Sequence, residues 1–286
     1  MVWPAYFVFF CFFYYFVFKL FEFLCGYYFI WWSIFIICTF FFVFLGVGNV
    51  SAGALFNYFM IQEVSGYYFL LFGNWKMQFF FLLLKSGSAP FHFWLFSVLR
   101  DVKKWFFLWF LTFQKLPYFF VIVNFCSDFF FVVLLLGMVF CYLQIFFLRD
   151  VLDMIVIASV ESFNWLLFLS VFSFNEIFFF VFFYYFVMVF FIFYGVKSGS
   201  FFNYELVMVF FNVPLSVTFF LKLLLLFSSG FYVGFFYLFL LFFMVIMSLS
   251  ISSWFFYVSM ISFNLSLKCL DYFFYIFFCF MLFLYF

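Results

Sequence analysis

The sequence is poor in charge. Only 7% of its 286 residues are Asp, Glu, Lys or Arg, and the two signs nearly cancel, leaving a formal net charge of +1. A soluble domain carries about a quarter charged residues. A water-facing globule made from this chain would lack the polar side chains to cover its surface. There is no basic run and no charged tail, which excludes nucleic acid as a partner. Histidine occurs once, at His92. One histidine cannot supply the axial ligands of two haems, so a cytochrome b or haem–copper oxidase core is excluded. The seven cysteines (Cys11, Cys25, Cys38, Cys126, Cys141, Cys269 and Cys279) contain no CxxC pair. Their spacing suits neither zinc nor an iron–sulfur cluster, and an odd count argues against a disulfide framework. They read as small apolar packing residues. The Gly-rich stretch "GVGNVSAGA" (46–54) follows no strand pattern and is not read as a dinucleotide loop. No basic region precedes the first apolar run, "MVWPAYFVFF", so neither a transit peptide nor a typical signal peptide is expected.

What the chain does have is oil. It is 73% hydrophobic and 36% aromatic, with 74 Phe against 4 Pro, and its mean hydropathy is +1.39. Such a chain uses lipid as its solvent. Phe, Leu, Val, Tyr, Cys and Trp all have codons rich in T and G, whereas Pro, His and Gln need C. This bias is expected of a small organellar genome, and synthesis inside the organelle fits a polytopic chain without a targeting segment. Many Phe positions are then generic lipid-facing positions.

Apolar runs of the length needed to cross hydrocarbon recur throughout, and they lack the alternation of membrane-barrel strands. The expected fold is an all-α polytopic membrane protein with about eleven transmembrane helices. The expected spans are 3–18, 24–45, 54–73, 77–99, 105–125, 129–148, 154–173, 177–195, 206–227, 231–253 and 272–286, with 255–271 extending the tenth span or lying along the interface. Short connections make 1–286 a single transmembrane domain. Loops after odd spans carry Lys19 and Lys76; loops after even spans carry Arg100, Lys103, Lys104, Arg149, Lys197 and Lys268. Basic residues mark the inner side, so the N-terminus is expected in the matrix and the C-terminus in the intermembrane space.

The remaining three of the eleven basic residues, Lys85, Lys115 and Lys222, fall near the middle of apolar spans. Snorkelling to an interface is difficult from there. A mid-span lysine costs about 2.5–3.5 kcal/mol to insert, so three cost roughly as much as the whole stability of an ordinary domain. Glu63 and Glu161 also lie near mid-span. One reading is a set of paired ions that fixes helix packing. The sharper reading is a polar axis in the membrane plane: low dielectric disfavours the charged ammonium, so such a lysine exchanges a proton when a neighbouring charge moves. Linked by water, these groups would form a proton relay.

The stretch "KSGSAPFHFW" (85–94) sets small residues and Pro90 directly after Lys85. It predicts a helix interruption that frees carbonyls and makes room for water. His92, beyond the break, is a candidate proton-transfer group, or simply an interhelical hydrogen-bonding residue. "NVPLSVTFFLK" (212–222) repeats the device with Pro214 and Lys222. The two devices are five spans apart. An odd offset reverses orientation, so two inverted five-helix repeats with interrupted helices are expected, over about 1–126 and 127–253, followed by an interfacial segment and one C-terminal helix in 254–286.

"KSGSAPFHFW" (85–94) followed by "LTFQKLP" (111–117) resembles the mitochondrial NADH dehydrogenase subunit 2 family, the antiporter-like membrane subunits of respiratory complex I. "NYFMIQ" (57–62), "IASVESFNW" (157–165) and "PLSVTFFLK" (214–222) agree, in the same order. The resemblance implies that Lys85, Lys115 and Lys222 form the proton path, with Lys115 as central relay, Lys85 as charge-paired modulator and Lys222 toward the exit or the next subunit. It also implies two inverted bundles in the mitochondrial inner membrane beside other antiporter-like complex I subunits and lipid. NADH, FMN, iron–sulfur clusters and ubiquinone would be held by other subunits, with no cofactor or metal in this chain. The chain departs from the family in two places. "WWSIFIICTF" (31–40) lacks the family's glutamate, and Glu63 is expected to substitute as partner of Lys85. Ser162 stands where the family often has histidine, and Glu161 beside it is expected to compensate. The resulting expectation is a proton-translocating subunit of NADH:ubiquinone oxidoreductase. A stand-alone cation/proton antiporter and a passive membrane scaffold remain alternatives.

Overall fold

In the computed structural model, the described residues are 28–171 except 103, 126, 127 and 149, together with 181, 184, 185, 219, 222, 223, 226, 242, 243, 245 and 246. All their regular structure is helical. The continuous part runs α1 (Tyr28–Gly46), α2 (Ala52–Leu71), α3 (Trp75–Ser86), α4 (Trp94–Leu99), α5 (Lys104–Phe113), α6 (Leu116–Phe125), α7 (Asp128–Phe147) and α8 (Val151–Ser170). The expected spans from 24–45 to 154–173 fall on these helices. Pro214 and both termini lie outside the described residues, the remaining spans are described only at the isolated positions named above, and of the expected second repeat (127–253) the described part is α7, α8 and those positions.

Local chemistry sets the helix ends. α1 runs out at Gly46, and Gly48 takes a positive φ of 82° in the turn that follows. Ser51 then caps α2: its Oγ accepts the Ala54 N–H at 3.3 Å. Thus "GVGNVSAGA" is a turn and a helix start. The same Ser51 hydroxyl donates to Asp101, tying α2 to the end of α4. Asn74 caps α3 by accepting the Lys76 N–H at 3.1 Å.

Apolar side chains occupy both faces of the long helices, so packing rather than hydropathy decides what is inside. On α1, Trp31, Phe35, Cys38 and Phe42 are buried, while Phe29, Ile37, Phe40 and Phe44 are exposed. On α7, Leu134, Met138, Cys141 and Ile145 are buried, while Val132, Leu136, Phe140 and Phe147 are exposed. A helix apolar all round belongs in lipid or in a large core. α1 and the stretch Phe130–Phe147 of α7 are long and apolar enough to cross a membrane.

Rings fill the interior. Phe42 stacks on Phe106 at 5.0 Å between centroids and meets Tyr58 at 4.1 Å and Phe110 at 4.8 Å, joining α1, α2 and α5. Phe79 of α3 stacks on Phe130 of α7 at 3.6 Å. α8 packs against α7 and reaches α4, α5 and α6. Among these walls lie the side chains that do not belong in oil.

Two helix breaks position them. Between α3 and α4, Gly87 takes φ 64°. The Ser88 N–H reaches the Leu83 carbonyl and the Gly87 N–H reaches the Leu84 carbonyl, closing α3 as a Schellman motif immediately after Lys85. The Ala89–Pro90 peptide is cis. Gly137 of α7 permits close approach to this break; a Cβ there would lie 2.6 Å from the Ala89 carbonyl oxygen. The interruption is therefore where the sequence predicts it. The freed carbonyls, however, are capped by side chains. Gln62 Nε2 donates to the Lys85 carbonyl at 2.9 Å, and Trp94 Nε1 donates to the Leu84 carbonyl at 3.0 Å.

The second break corrects the sequence reading. The span expected as continuous over 105–125 divides into α5 and α6, with Gln114 and Lys115 at the turn. Pro117 supplies the reason. Its missing N–H and its ring conflict with the carbonyl four residues earlier, at Phe113, where α5 stops; near the start of α6 the same proline is tolerated.

Candidate functional site: a buried polar seam

Lys85, Lys115 and Lys222 are all buried, at 2%, 3% and 4% relative exposure. Lys85 leaves the last turn of α3 and points its Nζ at α2. A Cβ on Gly66 would sit 3.0 Å from that Nζ, so the glycine makes room for the ammonium. The Phe35 ring lies 5.3 Å away, a distance at which a ring face attracts a cation.

Lys115, at the α5–α6 break, reaches α8. Its Nζ donates to the Ser159 carbonyl at 3.0 Å and to the Ser159 hydroxyl at 3.2 Å, with the Phe163 ring at 5.4 Å. The Ser159 hydroxyl donates onward to the Val156 carbonyl at 2.8 Å. One turn along, Ser162 donates to the same Ser159 carbonyl at 3.1 Å and meets the Tyr184 hydroxyl at 2.7 Å.

Lys222 forms a buried ion pair with Glu161 of α8. The other carboxylate oxygen of Glu161 accepts from Trp165 Nε1 at 2.6 Å and from the Tyr142 hydroxyl at 3.0 Å. Trp165 Nε1 also lies 3.3 Å from the Tyr142 hydroxyl. The ring of Trp165 flanks the Lys222 ammonium at 5.8 Å.

Uncharged groups bridge the spaces between. Tyr118 donates to Gln62 at 3.3 Å, and Gln62 caps the Lys85 carbonyl. Gln114, beside Lys115, donates to the Tyr58 hydroxyl at 2.5 Å. Tyr58, Gln62, Ser65 and Gly66 are buried along one stripe of α2, at the i, i+4, i+7, i+8 spacing of a single helix face. The stripe runs from the neighbourhood of Lys115 to that of Lys85.

The carboxylates are arranged differently from the sequence expectation. Glu63 is half-buried and accepts from Thr39 at 3.3 Å. It is near enough for its charge to act on Lys85. It makes no direct ion pair there among the described residues, so the directly paired lysine is Lys222. Glu161, expected as a mid-span carboxylate of the polar axis and as compensation for Ser162, is that pair's anion. His92 is buried and touches none of the three lysines directly; its Nε2–H donates to Gln144 Oε1 at 2.5 Å. Cys38 and Cys141 are buried and form no disulfide among the described residues. The sequence reading passed over Tyr58, Gln62, Gln114, Tyr118, Tyr142, Ser159 and Trp165. The available signal was any hydrogen-bonding side chain inside an apolar span, since such groups need partners in hydrocarbon.

At the rim, Arg100 grips Asp153 with two hydrogen bonds, Nε at 3.2 Å and Nη2 at 2.6 Å, locking the end of α4 to the start of α8. The hydrogen bonds it donates to Asp153, and that carboxylate's charge, hold the guanidinium above its usual pKa.

Among the described residues, a helical bundle with apolar outer faces and buried lysines, two of them at helix breaks, defines a class: membrane-type chains with an internal ionisable seam. No family model matches the sequence. The chain is 39% identical to NADH-ubiquinone oxidoreductase chain 2 of Caenorhabditis elegans over 220 residues, covering 76% of this chain and 78% of that protein. It is 40% identical to NADH-ubiquinone oxidoreductase chain 2 of Ascaris suum over 185 residues, 64% of this chain and 62% of that protein, which is less than two thirds of the relative's length. The chain belongs to the NADH-ubiquinone oxidoreductase chain 2 family.

Proposed function

We propose that this chain is a proton-translocating membrane subunit of NADH:ubiquinone oxidoreductase in the mitochondrial inner membrane. The observation that carries the reading is the seam: Lys115 bonded to Ser159 and Lys222 paired with Glu161, two buried amines served by one short stretch of α8. Lys85 lies beside it across α2, where Gln62 caps the Lys85 carbonyl and accepts from Tyr118. In this reading Lys115 is the central relay. Lys85 and Lys222 are its flanking sites, and His92 with Gln144 is a side branch. The charges shift as quinone chemistry elsewhere in the assembly proceeds. NADH, FMN, iron–sulfur clusters and ubiquinone belong to other subunits. About eleven helices in two inverted bundles, matrix-side N-terminus and contacts with neighbouring antiporter-like subunits complete the proposal.

The test is native separation of mildly extracted membranes, followed by reconstitution. The chain is expected in a very large assembly with NADH:ubiquinone activity, and to exchange no cations for protons when reconstituted alone. Exchange by the isolated chain would favour the stand-alone antiporter. Wild-type pumping after replacement of the lysines would favour the scaffold.

A further inference from the structure

Lys115 and Lys222 each have an oxygen against the amine, from Ser159 and from Glu161. Lys85 differs: among the described residues its ammonium meets no hydrogen-bond acceptor. An ammonium has donors and no acceptor, and leaving it bare in an apolar interior is costly. Two features of the fold meet this amine. One is the notch at Gly66 of α2; the other is the ring of Phe35 of α1, with Nζ over it at 5.3 Å from the centroid. α1 contains no Asp or Glu, so it offers no carboxylate in place of the ring. Glu63 of α2 is engaged with Thr39 and makes no direct ion pair with Lys85.

The ring is held in place. Phe35 is fully buried. It meets Phe69 of α2 edge-on at 5.9 Å and Tyr118 of α6 at 4.9 Å. The Tyr118 hydroxyl bonds Gln62, and Gln62 caps the carbonyl of Lys85 itself. The backbone and the amine of one lysine are thus tied to the same cluster. Rings also flank Lys115 and Lys222, Phe163 at 5.4 Å and Trp165 at 5.8 Å. In those two cases the ring supplements an oxygen; at Lys85 it stands in for one.

We infer that the face of Phe35 is the direct partner of the Lys85 ammonium, in the place an ion pair would otherwise fill, and that Phe35 is a positioning residue for this lysine. The attraction of a ring face acts on the charged amine and is lost when the amine is neutral. The ring can neither give nor take a proton. It therefore holds the amine in its charged state and releases it in its neutral state, and a proton leaving Lys85 goes to another group. This rests on the proton-translocation reading above.

The test is a double-mutant cycle in the assembled complex, built from Phe35→Leu, Glu63→Gln and Lys85→Leu, with Phe35→Tyr as the variant that keeps the ring. Retention of the subunit after graded heating, read by native separation, and protons translocated per NADH oxidised are measured for each. Phe35→Leu alone mixes lost packing with the lost ring face. The cycle separates them, because the packing loss persists whether or not the lysine is present. The effect of Phe35→Leu on retention is expected to be roughly threefold to thirtyfold larger with Lys85 present than in the Lys85→Leu background. Phe35→Tyr is expected to translocate as the wild type does. Should Phe35→Leu fail to assemble, Phe35→Met, closer in volume, takes its place in the cycle. Equal effects in the two backgrounds would overturn the inference. So would a stronger coupling of Lys85→Leu to Glu63→Gln than to Phe35→Leu, which would make the carboxylate the partner. Translocation is read separately. If Lys85→Leu translocates normally while the coupling is present, the translocation reading fails at this lysine and the ring contact stands. If Lys85→Leu impairs translocation and the coupling is absent, only the present inference fails.

Discussion

Lys115 and Ser159 form a two-point contact: the ammonium donates to both the carbonyl and the hydroxyl of the serine, at 3.0 and 3.2 Å. This joins the α5–α6 break to α8 inside the apolar core. A helix carbonyl normally serves its own helix. Here it also accepts from the Lys115 amine.

Ser159→Ala leaves the carbonyl and removes the hydroxyl. A hydrogen bond to a charged group contributes about 1.5–3 kcal/mol, so Lys115 should be held about tenfold less tightly or worse. The expected result is reduced pumping in a normally assembled complex, with Ser159→Thr close to wild type. Proton release per NADH oxidised, measured in sealed vesicles, checks both.

Gln62→Leu removes the cap on the Lys85 carbonyl and the acceptor for Tyr118. Each buried group left without a partner costs about 1–3 kcal/mol. The complex is expected to lose this subunit at a lower temperature, read by native separation after graded heating. Tyr118→Phe is expected to cost less in the Gln62→Leu background than alone, because the Tyr118–Gln62 bond is then already gone.

Much of this was legible in the letters. Three lysines surrounded by apolar residues signalled burial, because insertion is too costly to leave them exposed to lipid. Ser86, Gly87, Ser88 and Pro90 signalled the end of α3, and α3 stops at Ser86. The break at Gln114 was equally encoded, by Pro117, but an apolar run of spanning length outweighed a single proline in the reading. Partner identity was not legible. Whether Glu63 or Glu161 touches a lysine depends on which helix faces which across the bundle, and a single sequence carries no direct record of that. The polar bridges were hidden for a related reason: Gln62 and Tyr118 are 56 residues apart and meet only in the fold.

Gly137→Ala and Gly53→Ala should differ sharply. A Cβ on Gly137 would lie 2.6 Å from the carbonyl oxygen of Ala89, whereas one on Gly53 meets nothing within 4 Å. Gly137→Ala must push α7 away from the break and is expected to reduce the amount of assembled complex. Gly53→Ala, in α2, is expected to be neutral or stabilising by up to about 1 kcal/mol. Steady-state subunit abundance and thermal stability provide the comparison.

Arg100→Gln removes the clamp between α4 and α8. Asp153 is 3% exposed and Arg100 60% exposed on their side chains, so solvent screens the pair from one side. A loss of about 1 kcal/mol is expected, smaller at high salt because exposed charge is screened. Thermal stability of the wild type and Arg100→Gln at two ionic strengths measures it.

The most direct measurement is the number of protons translocated per NADH oxidised by the assembled complex carrying Lys115→Met. The predicted result is impaired translocation in a complex of normal abundance: a lower ratio, or turnover and translocation lost together. A wild-type ratio at wild-type turnover would contradict the role of the central lysine and reduce the seam to an element of packing.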